Sequence, residues 1–528
     1  MSLPVLLAAI LAAAPVPRTK TDTPPVPPPV ITPEGPKPAV RAPPPTELAE
    51  TLKRGLAPVP GGLTSDVVAA KSVAVAPSIA IKEEAIERAA ARVDQTIIQF
   101  LPQIGGKAGY TRLSKAAINF GGGAGLGALN GPTDGGSFQP VTVGPCPPPA
   151  TGQCVLDPGG SPVGVTPGFK INIPLNSFSL QGQLSIPISD YILSLTPAKR
   201  GVQAARQSAE AARDAERIKV ETDARLTYYN WIRTIAALTV IEDALTRTQA
   251  RLVDVQNLFE AGSATRSDVL RVDSLVYSQQ AAIVDATAFR NVAAQALSIM
   301  MNEKPENFAI GEDILAPPKD LGKLPELDQL IAEAQQNRLE VKSLEEAIVG
   351  TEMGIRVTRA AYYPRLDAFA EATYANPNQR FFPLAAIWRA SWSAGVSLSY
   401  TINQTLMTKA RVREQKSSKR ELFHQLELMR RGIAMEVTQA YGDRTRALAA
   451  IELNTKALAS SAEAYRVASE SYAAGAATTN EIIDAEGQQI QASLLAVNAH
   501  IDLRAANARL LYATGRLNGK QSKPASGK

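Results

Sequence analysis

Leu258–Leu270, LFEAGSATRSDVL, and its echo Ser471–Ile483, SYAAGAATTNEII, decide how this chain is read. Each copy sets one glycine, Gly262 or Gly475, between two very long helical patterns. Upstream of the first glycine, Trp231, Leu238, Leu245, Leu252 and Phe259 recur every seven residues; upstream of the second, Ile451, Leu458, Tyr465 and Tyr472 do the same. Gly475 follows Gly262 by 213 residues, and the same offset links four of these heptad pairs. An offset held over that many positions is a duplication. A seven-residue apolar seam winds helices into a left-handed coiled coil. Glycine ends a helix at little cost, because it takes positive φ without a Cβ clash. Two helical hairpins of one design are therefore predicted.

Composition narrows the function. The 528 residues carry a net charge of +5 with no long basic run, which argues against a nucleic-acid partner. Only two histidines occur, His424 and His500, far apart on helical stretches, so a histidine-based metal site has little to build on. No nucleophile motif, glycine-rich phosphate loop or ligand cluster is present, and neither an enzyme nor a cofactor is expected. Residues 1–14 read as an export signal: a short apolar run ending at Ala12-Ala13-Ala14, without a preceding Lys or Arg. No later segment is a long enough unbroken apolar run for a transmembrane helix.

Residues 15–62 hold 15 of the 38 prolines and read as an extended, disordered linker. Helical signals begin at Thr64-Ser65-Asp66, and a second helix runs from about Ser78 to Phe100, where Leu101-Pro102 breaks it. The same break recurs 262 residues later at Tyr363-Pro364. After each proline the period changes from helix to strand. Leu366, Ala368, Ala370, Ala372 and Tyr374 alternate with polar neighbours, as do Ala390, Trp392, Ala394, Val396, Leu398, Tyr400 and Ile402 with Ser, Thr, Arg and Gly. In the first copy Ile104, Ala108 and Tyr110 share a face, as do Phe178, Leu180, Leu184, Ile186 and Ile188. A half-buried soluble sheet accounts for such alternation. So does a transmembrane barrel, greasy towards lipid and polar towards a wet lumen, which needs only about 9–11 residues per strand. Aromatics on the apolar face and hydroxyls on the other favour the barrel. Trp388 and Trp392 suit an interfacial aromatic girdle.

The first strand pair carries an insertion at 120–170, dense in Gly and Pro, with Cys146 and Cys154 placed to close a short loop as a disulfide. Such a length is expected on the extracellular side of a barrel. The organisation that results is repeat 1 over 63–303, a connecting segment over 304–325, repeat 2 over 326–517 and a polar tail over 518–528.

The doubled Ala-Gly turn with an acid six residues on (Gly262 with Asp268, Gly475 with Glu481), the two proline breaks and the order helix, strand pair, long hairpin, twice over, resemble the TolC-like outer-membrane efflux proteins. The resemblance implies a mainly α fold with membrane β. In it a homotrimer pools four strands per chain into a twelve-stranded outer-membrane barrel, continuous with a twelve-helix periplasmic tunnel. It implies a passive exit duct of a tripartite efflux or type I secretion system, partnered by a periplasmic adaptor and an inner-membrane RND or ABC pump. By position it marks Ser267, Asp268, Tyr472, Glu481 and Asp484 as constriction residues. Ala261, Gly262, Thr265, Ala474, Gly475 and Thr478 fall at the helical tips that meet the adaptor. Crowded acids in a narrow pore attract cations and raise one another's proton affinity; acids at a helix start also serve simply as dipole partners. The best-known gate of the family has an arginine two residues after the second glycine. This chain has Ala477 there, and Arg266 is the neighbouring cation on the first turn. Two other readings remain at this level: a structural coiled-coil protein, or a periplasmic adaptor.

Overall fold

A computed structural model describes residues 47–115, 117–120, 128–129, 141–162, 165–166, 169–172, 174–316, 324–382 and 384–519. The expected signal, most of the linker, much of the insertion and nearly all of the tail lie outside them. The chain divides into two compact units: residues 245–278, at the turn of the first hairpin, belong to one, and the remainder of the described chain forms the other.

The helices are α1 (Glu47–Gly55), α2 (Ser65–Val75), α3 (Pro77–Ile98), α4 (Thr196–Glu260), α5 (Arg266–Met301), α6 (Leu327–Asn337), α7 (Leu339–Ala360), α8 (Gln404–Ala473) and α9 (Thr479–Ala513). At 1.5 Å per residue α4 is about 95 Å long and α8 about 105 Å. Such lengths are possible because neither sequence contains an interior proline beyond its first turn. On the heptad seam Trp231 and Leu238 are buried, Leu245 and Leu252 half-buried and Phe259 exposed; in the second copy Tyr465 alone is fully buried.

One expectation fails at the linker. Residues 47–55 fall within the segment read as disordered, yet they form α1, and Leu52 and Leu56 are buried. ELAETLKRG contains no proline, and Leu52 and Leu56 stand one helical turn apart. The chain then reaches Leu63, which bridges Ile310 in parallel, so the start of repeat 1 is stitched to the connection between repeats. Gly62 and Gly311 make that approach possible: a Cβ on Gly62 would stand 2.6 Å from the Ile310 carbonyl oxygen. Leu52, Leu56, Val68, Tyr228, Trp231, Leu297, Ile310 and Ile501 belong to one core; Leu330, Val341, Ile348, Ile433, Val437 and Leu510 belong to a second. Buried arginines fix both connections to α9. Arg504 pairs with Glu312 at 2.6 Å and donates to the carbonyls of Asp313, Ile314 and Ala316. Arg338 pairs with Glu340 and Glu436, donates to the carbonyls of Tyr512 and Ala513, and lies over the Tyr512 ring.

Four long strands, β1 (Gln103–Arg112), β2 (Asn176–Ile186), β3 (Arg365–Asn376) and β4 (Arg389–Ser399), follow the alternation, but β4 stops short of Tyr400 and Ile402, where the chain already turns into the next helix. The two pairs are not separate. β2 also pairs with β3, giving one antiparallel sheet in the order β1-β2-β3-β4. Among the described residues it is open, with β1 and β4 as its edges. Ile188, read as a strand residue, instead begins a helical turn after Pro187, followed by a π-helical turn at Tyr191–Leu195. The described parts of the insertion are not a plain loop. Ala117–Phe120 pairs with Phe169–Asn172, Ala128–Leu129 with Val165–Thr166, and Thr142–Pro145 with Gln153–Leu156. A disulfide joins Cys146, one residue past this last pairing, to Cys154 within it, with Cα atoms 4.9 Å apart.

Candidate functional site

The register carries one parity across all four strands. Ile104 stands opposite Leu184, which stands opposite Ala370, which faces Ala394; Ala108, Leu180, Tyr374 and Ala390 form another such row. Every residue of these rows projects to one face of the sheet. The alternate rows are polar: Lys107, Gln181, Thr373 and Ser391, then Gly105, Gln183, Glu371 and Ser393. The apolar face is bare in the single chain, with Ile104 85%, Trp392 76% and Leu398 70% exposed. An exposed apolar patch of this extent marks a surface built for lipid or for another protein.

Aromatic rings gather at the end of the sheet away from the long helices. Tyr110 and Phe178 lie 4.9 Å apart between centroids, Phe178 and Trp388 6.2 Å, and Trp388 and Tyr374 stack at 4.9 Å. Trp388 thus sits in a row of four rings that crosses all the strands. Trp392 does not; it faces Ala372 further down the sheet, in a row with Gly182 and Gly106. Sequence reasoning does not group Tyr110, Phe178 and Tyr374 with Trp388. Their shared parity is the available signal, but the register that aligns them depends on β2 meeting β3.

The two helical turns are built alike. Gly262 has φ 74° and Gly475 φ 71°. The amide of Ser263 donates to Leu258 and that of Gly262 to Phe259; Ala476 donates to Ser471 and Gly475 to Tyr472. Both are Schellman closures, in which positive φ lets the chain satisfy its last carbonyls. Ala261 and Ala474 are the residues just before, both exposed. The next helix then opens with a reciprocal cap. The Glu481 carboxylate accepts from the Thr478 amide at 3.0 Å while Thr478 Oγ1 accepts from the Glu481 amide. In the first turn the Asp268 carboxylate accepts from the Thr265 amide at 3.1 Å and from its hydroxyl at 2.6 Å. Asp268 and Glu481 therefore have a local use as capping acids. Ser267 and Asp484 are exposed and Tyr472 half-buried. Ala261, Gly262, Thr265, Ser267 and Asp268 lie together on the first turn; Tyr472, Ala474, Gly475, Thr478, Glu481 and Asp484 lie together on the second.

The hydrogen bonds from the Thr265 hydroxyl and amide hold the Asp268 carboxyl below its ordinary pKa of 3.8. A depressed folded-state pKa stabilises above the unfolded value and ceases to as pH falls through the folded one. Asp268→Asn is therefore expected to weaken the turn by roughly 1 kcal/mol at neutral pH, with the difference from wild type closing below about pH 4. Hydrogen exchange at the tip amides, compared between the two proteins at each pH, reads this directly. A difference that persists once the carboxyl has been protonated, below its depressed folded-state pKa, rules the charge out.

An amphipathic four-stranded sheet joined to doubled long helical hairpins is the build of an outer-membrane channel subunit. The outer membrane efflux protein family matches residues 167–303 and 330–516, more than half of the chain, and the chain belongs to that family. The fold agrees with solved channels of low identity: OprN (TM-score 0.63, 14% identity, 88% of this chain and 90% of that one), CusC (0.65, 16%, 85% and 92%) and MtrE of Neisseria gonorrhoeae (0.64, 16%, 85% and 88%). The solvent efflux pump outer membrane protein SrpC of Pseudomonas putida is 28% identical over 170 residues, 31% of this chain and 34% of its own; the toluene efflux pump outer membrane protein TtgI of the same species matches equally. The match thus spans about a third of those relatives. The family consists of outer-membrane channel proteins, and membership sets aside the coiled-coil scaffold and the adaptor.

Proposed function

We propose that three copies of this chain pool their sheets into a twelve-stranded barrel in the outer membrane. Their long helices continue as a twelve-helix tunnel in the periplasm. The observation that carries this is the open sheet with a single apolar face and two unpaired edges. Lipid tolerates neither free edges nor bare polar backbone, and closure through identical neighbours removes both. The assembly is a passive exit duct of a tripartite efflux or type I secretion system. It receives substrate from an inner-membrane RND or ABC pump through a periplasmic adaptor. The adaptor meets the tips at Ala261, Gly262, Thr265, Ala474, Gly475 and Thr478. Substrate choice lies mainly in the pump.

Ser267, Asp268, Tyr472, Glu481 and Asp484 line the narrow end. Threefold repetition turns each acid into a ring of three, which favours cations. The hydrogen bonds from Thr265 lower the proton affinity of Asp268 and so oppose the raising that crowding in such a ring produces. The test is recording from purified trimers in planar bilayers. Glu481→Ala with Asp484→Ala is expected to lower the cation-to-anion permeability ratio severalfold and to relieve block by divalent cations. Unchanged currents remove both residues from the throat, and protein that stays monomeric and soluble removes the channel.

A further inference from the structure

The loop joining β3 to β4 does not simply turn away from the sheet. Among the described residues of the four strands and this loop, only Ala375, Pro377 and Asn378 are buried. Asn378 is 4% exposed and fully engaged: its amide nitrogen donates to the Arg389 carbonyl at 3.0 Å and to Ser391 Oγ at 2.9 Å, and its Oδ1 accepts from the Arg380 amide at 3.0 Å. Ser391 belongs to the polar rows, so Asn378 is pinned to the polar face. Arg380 then reaches across to donate to the Trp392 carbonyl at 2.7 Å. Pro377 through Arg380 wall one side of a cavity of about 340 Å³ whose other walls include Ser179, Gln181, Glu371 and Thr373 of the polar parity. A buried, doubly donating asparagine is a fixed attachment, since freeing the loop would leave its amide unpaired.

We propose that Pro377–Arg380 is a collar fastened to the inner, water-facing side of the sheet at its outer end, where it narrows the conduit and gives it a positive rim. The proposal rests on the barrel reading above. Positive charge predominates there: Arg380 on the collar, with Arg389 and Lys107 on the same face by register, stands against Glu371. Repeated three times, this sets a cationic mouth in series with the acidic throat at the tips. An anionic solute meets attraction at the exit and a cationic one at the entrance. The collar is thus a second determinant of what passes, independent of the helical gate.

The test uses the full chain inserted in membranes, in preparations first shown to be trimeric. Failure at that step overturns the channel reading and the collar with it, whereas the labelling outcomes bear on the collar alone. Both native cysteines are disulfide-bonded, so a single introduced thiol is the only one to react. Gln379→Cys is expected to react readily with small thiol reagents from the outside and at least an order of magnitude more slowly with a bulky poly(ethylene glycol) maleimide. Thr151→Cys, on the exposed hairpin of the insertion, should accept both. A small anionic reagent should outpace a cationic one of equal size at Gln379→Cys. That preference should fade with added salt, as screening shortens the reach of the rim, and should shrink when Arg380→Gln is added. Adding Asn378→Ala should free the loop and admit the bulky reagent. Equal labelling of Gln379→Cys and Thr151→Cys by the bulky reagent, or no reaction with either reagent, overturns the collar. Equal rates for anionic and cationic reagents overturn its charge. Continued protection in Asn378→Ala overturns the anchor.

Discussion

Arginine at position 394 should block assembly, and arginine one residue earlier should not. Ala394 is the sixth residue of β4 and lies in the row with Ala370, Leu184 and Ile104, all of apolar parity. A charged side chain on the lipid face near mid-strand of a membrane barrel costs about 2–4 kcal/mol. Three copies multiply the penalty in a trimer. Ser393 faces Glu371 across the β3–β4 pair, so Ser393→Arg introduces a cation opposite an acid on the wet side. The expected result is that Ala394→Arg yields little membrane-inserted, heat-modifiable oligomer, whereas Ser393→Arg yields wild-type amounts. The comparison separates the barrel from a soluble sheet. Ala394 is exposed in the single chain, and at a site facing water an arginine costs almost nothing. Equal yields from the two variants would mean that the apolar face does not meet lipid.

The contrast depends on a parity visible in the sequence, and that marks what can be read there. Strands and long helices announce themselves by period, because one face is repeatedly apolar and the spacing of that face is fixed by backbone geometry. Gly262 and Gly475 are legible because helix stops need positive φ and few residues supply it cheaply. The duplication sharpens both, since each copy checks the other. What lacks a period stays hidden. The nine residues of α1 are lost among prolines, although the leucine spacing is there. Pairing of β2 with β3 brings together residues from different repeats, and no local pattern encodes that. Gly62 and Gly311 meet only because two connecting segments are stitched side by side, and nothing about a glycine in a loop announces its partner. The turn acids read in two ways at once, as throat residues and as dipole partners. The structure adds the second use in detail, as caps on Thr265 and Thr478, while the first needs neighbours that one chain lacks. Asn378 looks like ordinary loop polarity; only its burial gives it a task.

Arg504 is hidden in the same sense, and its removal should be among the most damaging single changes outside the membrane. It lies near the end of α9 with 9% exposure and is ringed by one segment of chain: the Glu312 carboxylate and the carbonyls of Asp313, Ile314 and Ala316. Breaking a buried ion pair by deleting one partner costs about 3–5 kcal/mol, because the surviving charge is left without a counterion. Arg504→Ala should therefore lower the denaturation midpoint markedly and open the chain between Asn302 and Ala316 to protease. Lysine should rescue little. Its point charge can meet Glu312, but it lacks the planar fork that serves three carbonyls at once. Pairing Arg504→Met with Glu312→Gln should recover part of the loss, since the stranded charge is then gone and the stem is still filled. If instead Arg504→Ala stays within about 1 kcal/mol of wild type, a loss of the size a surface pair would give, the connection between the repeats is held by Gly62, Gly311 and the apolar core of Ile310 and Ile314 alone. Arg504 would then have no greater weight than an exposed arginine.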